Sequence, residues 1–345
     1  MPRSRGAHSM RGEGPAGFVR RSPFLYIRCV MALWGPFLCP QVYMLACVTG
    51  LSVGEENGMD ASIAAGVQLN DGYKIPRIAF GTYSLGDECA TQEAVETALE
   101  MGYRHLDCAR FYGNEKGVGA GIASTGLPRE EVFVTSKVWN DRQLDGTVRE
   151  SVEESLRDLQ VDYLDLLLIH WPVEGKFLLT WEQFIEIRDE GLVKSIGVSN
   201  HLPKQIDTLV RETGVVPAVE QIERHPYRHA GESFDYCREQ GIAVEAWSPL
   251  GRGGCLKDPV ICDIAKNRGI SPAQVILAWH KACGVVPLPR SNKPQNIKAN
   301  LAAMDVTLTD AELARIDALD AGKTVSEGID PEHFGAYLNN LSSHF

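Results

Sequence analysis

From Gly66 onward, short apolar runs alternate with stretches whose apolar residues recur every three or four positions. Eight runs predict strands: "RIAFGT" (77–82), "RHLDC" (104–108), "VFVTSK" (132–137), "YLDLLLIH" (163–170), "VKSIGVS" (193–199), "VPAVEQ" (216–221), "IAVEAWS" (242–248) and "GVVPLP" (284–289). A helical pattern follows each: "EAVETALEMG", "EKGVGAGIAS", "VRESVEESLRDL", "WEQFIEIRDEG", "KQIDTLVRETG", "ESFDYCREQG", "SPAQVILAWHKAC" and "NIKANLAAM". Several of these end in glycine, as a helix C-terminus prefers. Most of the strands are continuous apolar runs, which indicates burial on both faces and parallel pairing. Eight such units predict an α/β fold, a (β/α)8 TIM barrel, rather than an open doubly wound sheet. Before them, "VQLNDGYKIPRIAF" carries an Asn-Asp-Gly turn between two short runs and predicts a hairpin closing the bottom of the barrel. The glycines of "GVGAG" (117–121) fall within a helical stretch rather than a strand-to-helix turn, so they suit helix packing and not a dinucleotide fingerprint.

Composition narrows the partners. The 345 residues are 44% hydrophobic and 23% charged, ordinary for a globular chain. A net charge of -11 with no lysine-rich stripe argues against nucleic acid, which needs a basic face. The nine cysteines include no C-x-x-C pair, so neither a zinc site nor a disulfide framework is suggested, and a reducing compartment, the cytoplasm, is the simpler setting.

Residues 1–58 differ from the barrel assigned to 59–345. They hold six arginines and no lysine, and the run from Cys29 to Val53 is uncharged. Read literally, residues 24–53 are a signal or membrane anchor, and "MLAC" loosely resembles a lipoprotein cleavage box. Arg-rich flanks stay inside, which would place the following domain outside. A translation start at Met59, or a disordered extension, is the favoured reading.

In barrels of this kind the chemistry sits at the C-terminal ends of the strands. There stand Asp107, Lys137, His170, Ser199 with Asn200, Gln221, Trp247 with Ser248, and Arg290 with Ser291. A lysine ending an apolar strand is costly if buried unpaired, and Asp107 on the neighbouring strand offsets that cost. The pair could serve stability alone. A lysine beside Tyr112, however, favours the phenolate and lowers its pKa from about 10, making the phenol a usable proton donor. His170 would hydrogen bond a substrate oxygen or the phenol. Cys108 reads as a small buried strand-end residue rather than a nucleophile.

The segments "GYRHLDCARFYGNE", "VFVTSKVW", "DLLLIHWP", "IGVSNH", "VEQIERHP", "AWSPLGRG" and "LPRSNKPQNIKANL" together resemble the aldo-keto reductase family, in family order and on separate strands. The resemblance covers residues 66–345, and the short segment after His170 resembles that of bacterial members such as 2,5-diketo-D-gluconate reductases. It implies reduction of an aldehyde or ketone with NADPH, without a metal. Tyr112 is then the general acid, Lys137 its tuner, Asp107 the anchor of the lysine and His170 the orienter of the carbonyl. It also implies a cofactor site made of Gly81, Thr82, Ser199, Asn200, Gln221, Trp247, Ser248, Leu250, Gly251, Arg290, Ser291, Asn296 and Asn300. Ser199, Asn200 and Gln221 would hold the nicotinamide carboxamide, and Trp247 would stack on the ring. Where relatives commonly carry lysine this chain has Arg290; Asn296 replaces a second arginine and Ala299 a glutamate, which leaves NADH use open. Tyr83, Trp139 and Trp171 correspond to aromatic pocket positions for a small carbonyl substrate, and the tail "EHFGAYLNNLSSHF" would fold over the mouth. A monomer is implied. The alternative is a non-catalytic cofactor-binding or regulatory subunit on the same barrel, and a metal-dependent hydrolase lacks a ligand cluster.

Overall fold

A computed structural model describes residues 66–325. The expectations for residues 1–58 and for the tail from Glu332 lie outside the described residues. β1 (Val67–Gln68) and β2 (Lys74–Ile75) pair antiparallel around the Asn-Asp-Gly turn. Leu69 and Ile75 of this hairpin pack with Phe133 and Ala218, which lie where two barrel strands begin, and the Asn70 amide donates to the Pro217 carbonyl at 2.9 Å. The hairpin therefore plugs the N-terminal end of the barrel.

Eight parallel strands follow: β3 (Phe80–Gly81), β4 (His105–Asp107), β5 (Phe133–Val138), β6 (Leu164–Ile169), β7 (Val193–Ser199), β8 (Val219–Glu223), β9 (Ala243–Trp247) and β10 (Val286–Pro287), each bonded to the next in sequence order. The curled sheet closes on itself. Ala79 N–H donates to the Pro287 carbonyl and Gly81 N–H to the Pro289 carbonyl, both at 3.1 Å. Closure leaves little room at 81, where a Cβ would stand 3.1 Å from the Leu288 oxygen.

Between the strands run α1 (Glu88–Glu100), α2 (Glu115–Thr125), α3 (Asn140–Asp145), α4 (Val148–Leu159), α5 (Phe177–Asp189), α6 (Pro203–Thr213), α7 (Gly231–Glu239), α8 (Pro259–Arg268), α9 (Pro272–Ala282), α10 (Pro294–Ala302) and α11 (Asp310–Asp317). The eight predicted helices are present. The pattern missed α3, α8 and α11. α3 is only six residues long and has no side-chain cap, while the signals of α8 and α11 are local caps rather than long apolar stripes: Asp258 accepts from Val260 N–H with Pro259 in the first turn, and Thr309 and Glu312 form a reciprocal capping box. The "GVGAG" glycines lie inside α2, as expected of helix packing. A Cβ on Gly117, Gly119 or Gly121 would come within 2.5 Å of the Glu88 oxygen, 2.5 Å of the Leu159 oxygen or 2.7 Å of Val95, so α2 packs nearly backbone to backbone on α1 and the end of α4.

Because side chains alternate along a strand, Phe133, Leu166, Leu168, Val219, Val286 and Leu288 fill the barrel interior. Val95, Leu106, Val118, Trp181 and Phe184 fill the layer between sheet and helices. The inward parity matters most near the mouth. His105, Asp107, Lys137, Gln221 and Glu245 are all buried, and the same alternation turns them into the barrel.

Candidate active site

Asp107 is the last residue of β4 and pairs with Thr135 of β5, so Lys137, two positions beyond Thr135 and one residue from the end of β5, stands one pleat nearer the mouth on the same inward face. After β4 the chain makes a single 3-10 turn, Arg110–Tyr112, which Gly113 ends in the left-handed region at φ 66°. Arg110 secures this turn from outside, donating to Asp158 at 2.5 Å and to Glu154 at 3.1 Å on α4. Tyr112 is thereby folded back over Lys137.

Lys137 has 1% exposure, and each of its three N–H donors has an acceptor: Asp107 Oδ1 at 2.7 Å, the Cys108 carbonyl at 2.8 Å and the Tyr112 hydroxyl at 3.2 Å. Burial disfavours its charge, but Asp107 and then Tyr112 outweigh burial and raise its pKa, so it is an ammonium at every working pH. Tyr112 as a whole is half-buried, with its hydroxyl facing the lysine. Its pKa is pushed up to about 12, chiefly by burial and further by Asp107, with Lys137 pulling the other way. The lysine acts in the direction expected from the sequence, yet the net shift has the opposite sign, because desolvation of the phenolate outweighs one neighbouring charge. Tyr112 therefore carries its proton at neutral pH. Burial and the lysine hold His170 well below the usual imidazole range, so it is neutral. Cys108 is fully buried and its thiol is pushed up by burial and by Glu115, which leaves it inert.

An aromatic rim surrounds these groups. Tyr83, 54% exposed, meets Tyr112 edge-on at 5.1 Å between centroids, and Trp139 meets the His170 ring at 4.8 Å. Phe111, 42% exposed and not singled out from sequence, stacks on Trp139 at 3.8 Å. Trp171 is buried, 6.4 Å from Trp247.

The proposed nicotinamide positions also converge. Asn200, at φ 59°, donates to the His170 carbonyl at 3.0 Å and accepts from Trp247 Nε1 at 2.8 Å, so β6, β7 and β9 are tied at their ends. Ser199 Oγ donates to the Gln221 carbonyl at 2.8 Å, and Gln221 Nε2 donates to Asp107 Oδ1 at 2.9 Å. The loop after β9 holds Ser248, Gly251, Arg252 and Gly253 in the left-handed region, which folds the backbone into a tight concavity. Arg290 is exposed past β10 and donates to the Ser84 carbonyl at 2.6 Å, with Ser291 beside it. Asn296 is exposed and Asn300 buried on α10, while Leu250 is half-buried. Gly81 and Thr82 serve the scaffold: Thr82 Oγ1 donates to the Asp107 carbonyl at 3.0 Å.

Glu245 and His105, fully buried with His105 Nε2 3.7 Å from Glu245 Oε1, escaped the sequence reading. Each sits two residues before a strand-end residue of the site, Trp247 and Asp107 respectively, so the two-residue repeat of β9 and β4 was the available signal.

The family model for the aldo/keto reductase family matches residues 77–321. An aldo-keto reductase of Mycolicibacterium smegmatis is 45% identical over 271 residues, 78% of this chain and 97% of that protein. Methylglyoxal reductase DkgA of Salmonella typhimurium is 41% identical over 273 residues, 78% of this chain and 98% of that protein. Among solved structures, a Bombyx mori aldo-keto reductase in complex with NADP superposes with a TM-score of 0.72 at 36% identity, covering 76% of this chain and 95% of the other. Fold and relatives together define a reductase of small carbonyl compounds that uses NAD(P)H. The chain belongs to the aldo/keto reductase family.

Proposed function

We propose that this protein reduces a small aldehyde, ketone or dicarbonyl to an alcohol with NADPH, and that Tyr112 is the general acid. The observation that carries this reading is the saturated Lys137. An ammonium whose other two donors are spent on Asp107 and Cys108 directs its third hydrogen at the Tyr112 hydroxyl, 3.2 Å away. That contact is worth more once the phenol has given up its proton, so it favours the state formed during proton donation. Neutral His170, whose ring meets that of Tyr112 edge-on at 5.8 Å between centroids, would orient the carbonyl oxygen.

The residues present fit the dinucleotide. Ser199, Asn200 and Gln221 line one wall for the carboxamide, and Trp247, pinned through its Nε1, offers a rigid ring face. The concave turn of Ser248, Leu250 and Gly251 suits the pyrophosphate, and Gly81 and Thr82 would border the site from β3 beside Asp107. Arg290, Ser291, Asn296 and Asn300 would meet the adenosine end, and a guanidinium fork suits a 2′-phosphate. Bound NADPH supplies the hydride. Tyr83, Phe111, Trp139 and Trp171 make an apolar, aromatic mouth suited to a compact substrate, and relatives named methylglyoxal and glyoxal reductases handle such molecules. Six free cysteines among the described residues suit a reducing, cytoplasmic setting.

Replacement of Tyr112 by Phe tests the assignment. General acid catalysis contributes about 10²–10⁴ in rate, so Tyr112→Phe should lose at least that much of kcat for methylglyoxal reduction while keeping its NADPH affinity. Turnover near the parent rate would refute the role.

A further inference from the structure

We infer that Glu245 is a positioning residue of this reaction: it holds the Gln221 side-chain amide with its NH2 toward Asp107 and its oxygen toward the mouth. The inference rests on the reading that Tyr112 gives the proton and that Gln221 meets the nicotinamide carboxamide.

Gln221 Nε2 has two hydrogens and spends both below the mouth. One goes to Asp107 Oδ1 and the other to Glu245 Oε2, each at 2.9 Å. Turning the amide over would set its oxygen against the Asp107 carboxylate and lose that bond, and would keep a bond to Glu245 only by moving the acid proton onto Oε2, so the orientation is fixed from beneath. The oxygen left over is an acceptor, which matches an amide NH2 on the ligand. Through this bridge the cofactor floor and the anchor of Lys137 become one unit. Without Glu245, Gln221 would keep a single tether and could rotate.

The charge state of Glu245 follows from its neighbours. It is fully buried on β9, beside Gln221 of β8 and Val286 of β10 in the strand pairing. The ionisable groups facing it are His105 and Asp107 from β4 and Lys137 from β5. Lys137 sends none of its donors to it. Its Oε1 has no hydrogen-bond partner, and the nearest base, His105 Nε2, is 3.7 Å away. His105 itself is driven down to about 3 by burial and Lys137, and so adds no charge. Two carboxyls thus share one ammonium in a dry interior, and the one without the ion pair keeps its proton. Burial, reinforced by Asp107, lifts Glu245 to about 8. Above that pH a second buried anion appears under Lys137, disfavours the Tyr112 phenolate and makes Tyr112 a weaker acid.

Two variants and two readouts test this. In the parent enzyme, kcat for methylglyoxal reduction should fall as pH rises through about 8. Glu245→Gln keeps an acceptor for Gln221 but cannot ionise; it should lose that decline and hold NADPH within about threefold of the parent affinity. Glu245→Leu removes the tether; NADPH binding, followed by quenching of tryptophan fluorescence, should weaken about tenfold, the size of one lost hydrogen bond. A Glu245→Gln profile that superimposes on the parent, or undiminished NADPH affinity in a folded Glu245→Leu protein, would overturn the inference. If Glu245→Leu does not fold, the Glu245→Gln profile alone decides. The affinity readout does not depend on which residue donates the proton. Full activity of Tyr112→Phe would therefore sink the functional reading, while a normal Glu245→Leu affinity would sink only this one.

Discussion

A buried ammonium with three hydrogens and three acceptors leaves no slack, and Lys137 is such a group. Asp107 is the acceptor that carries its counter-charge. Removing one partner of a buried ion pair costs about 3–5 kcal/mol, because the other charge stays behind unpaired. Asp107→Asn should destabilise the fold by roughly that amount in urea unfolding at neutral pH and depress kcat as well. Asp107, Lys137 and His170 stood out in the sequence because each lies at the end of a short strand pattern, where the barrel brings polar groups together, although a pair serving stability alone fitted Asp107 and Lys137 too; Tyr112 stood out from its short distance to Asp107. Glu245 was hidden in plain sight, since one acid inside "IAVEAWS" reads equally well as facing outward. The sign of the Tyr112 shift was not legible either, because depth in the barrel is a property of the closed fold and not of the residues flanking it.

At the scale of elements, the eight strands followed from their apolar runs, and eight helices followed from periodicity. What failed were helices too short or too polar to show a stripe. α11 depends on its Thr309–Glu312 box, and α8 hides behind the glycine-rich stretch at 251–254. The three glycines of α2 make the sharpest claim at this level. A methyl at Gly119 would meet the Leu159 carbonyl oxygen at 2.5 Å and its carbon at 2.6 Å, both backbone atoms that cannot rotate away. Gly119→Ala should cost about 1–3 kcal/mol despite the better helix propensity of alanine, the cost being that of overpacking. Thermal unfolding checks it, since Tm falls roughly 2–4 °C per kcal/mol at this size. A rise in Tm would show that the helices can separate cheaply.

For the molecule as a whole, the proposed cofactor contacts come from the ends of β7, β8 and β9 and from the segment after β10. A ligand that binds only the folded barrel stabilises it by RT ln(1 + [L]/Kd), about 2.7 kcal/mol at a hundredfold excess over Kd. NADPH should therefore raise Tm by several degrees. Arg290→Ala should shrink that rise while sparing the smaller one produced by NADH, because a charge-assisted bond to the 2′-phosphate is worth about 1.5–3 kcal/mol. Equal losses with both cofactors would move the phosphate contact elsewhere. The bottom hairpin was legible from its Asn-Asp-Gly turn, whereas the manner in which the sheet closes was not, because no local pattern records which carbonyls Ala79 and Gly81 will meet.

That seam joins Ala79 and Gly81 to Pro287 and Pro289, and Arg290 reaches across it to Ser84. Its two sides lie some two hundred positions apart along the polypeptide, so the join is the most distant pairing in the barrel. During synthesis the early side emerges long before its mate exists. A nascent chain halted before Pro287 has no complete ring, whatever helices it has already wound. The adenosine end of the cofactor would rest on the latest-made edge of that ring, so readiness to bind it arrives only as translation nears its finish.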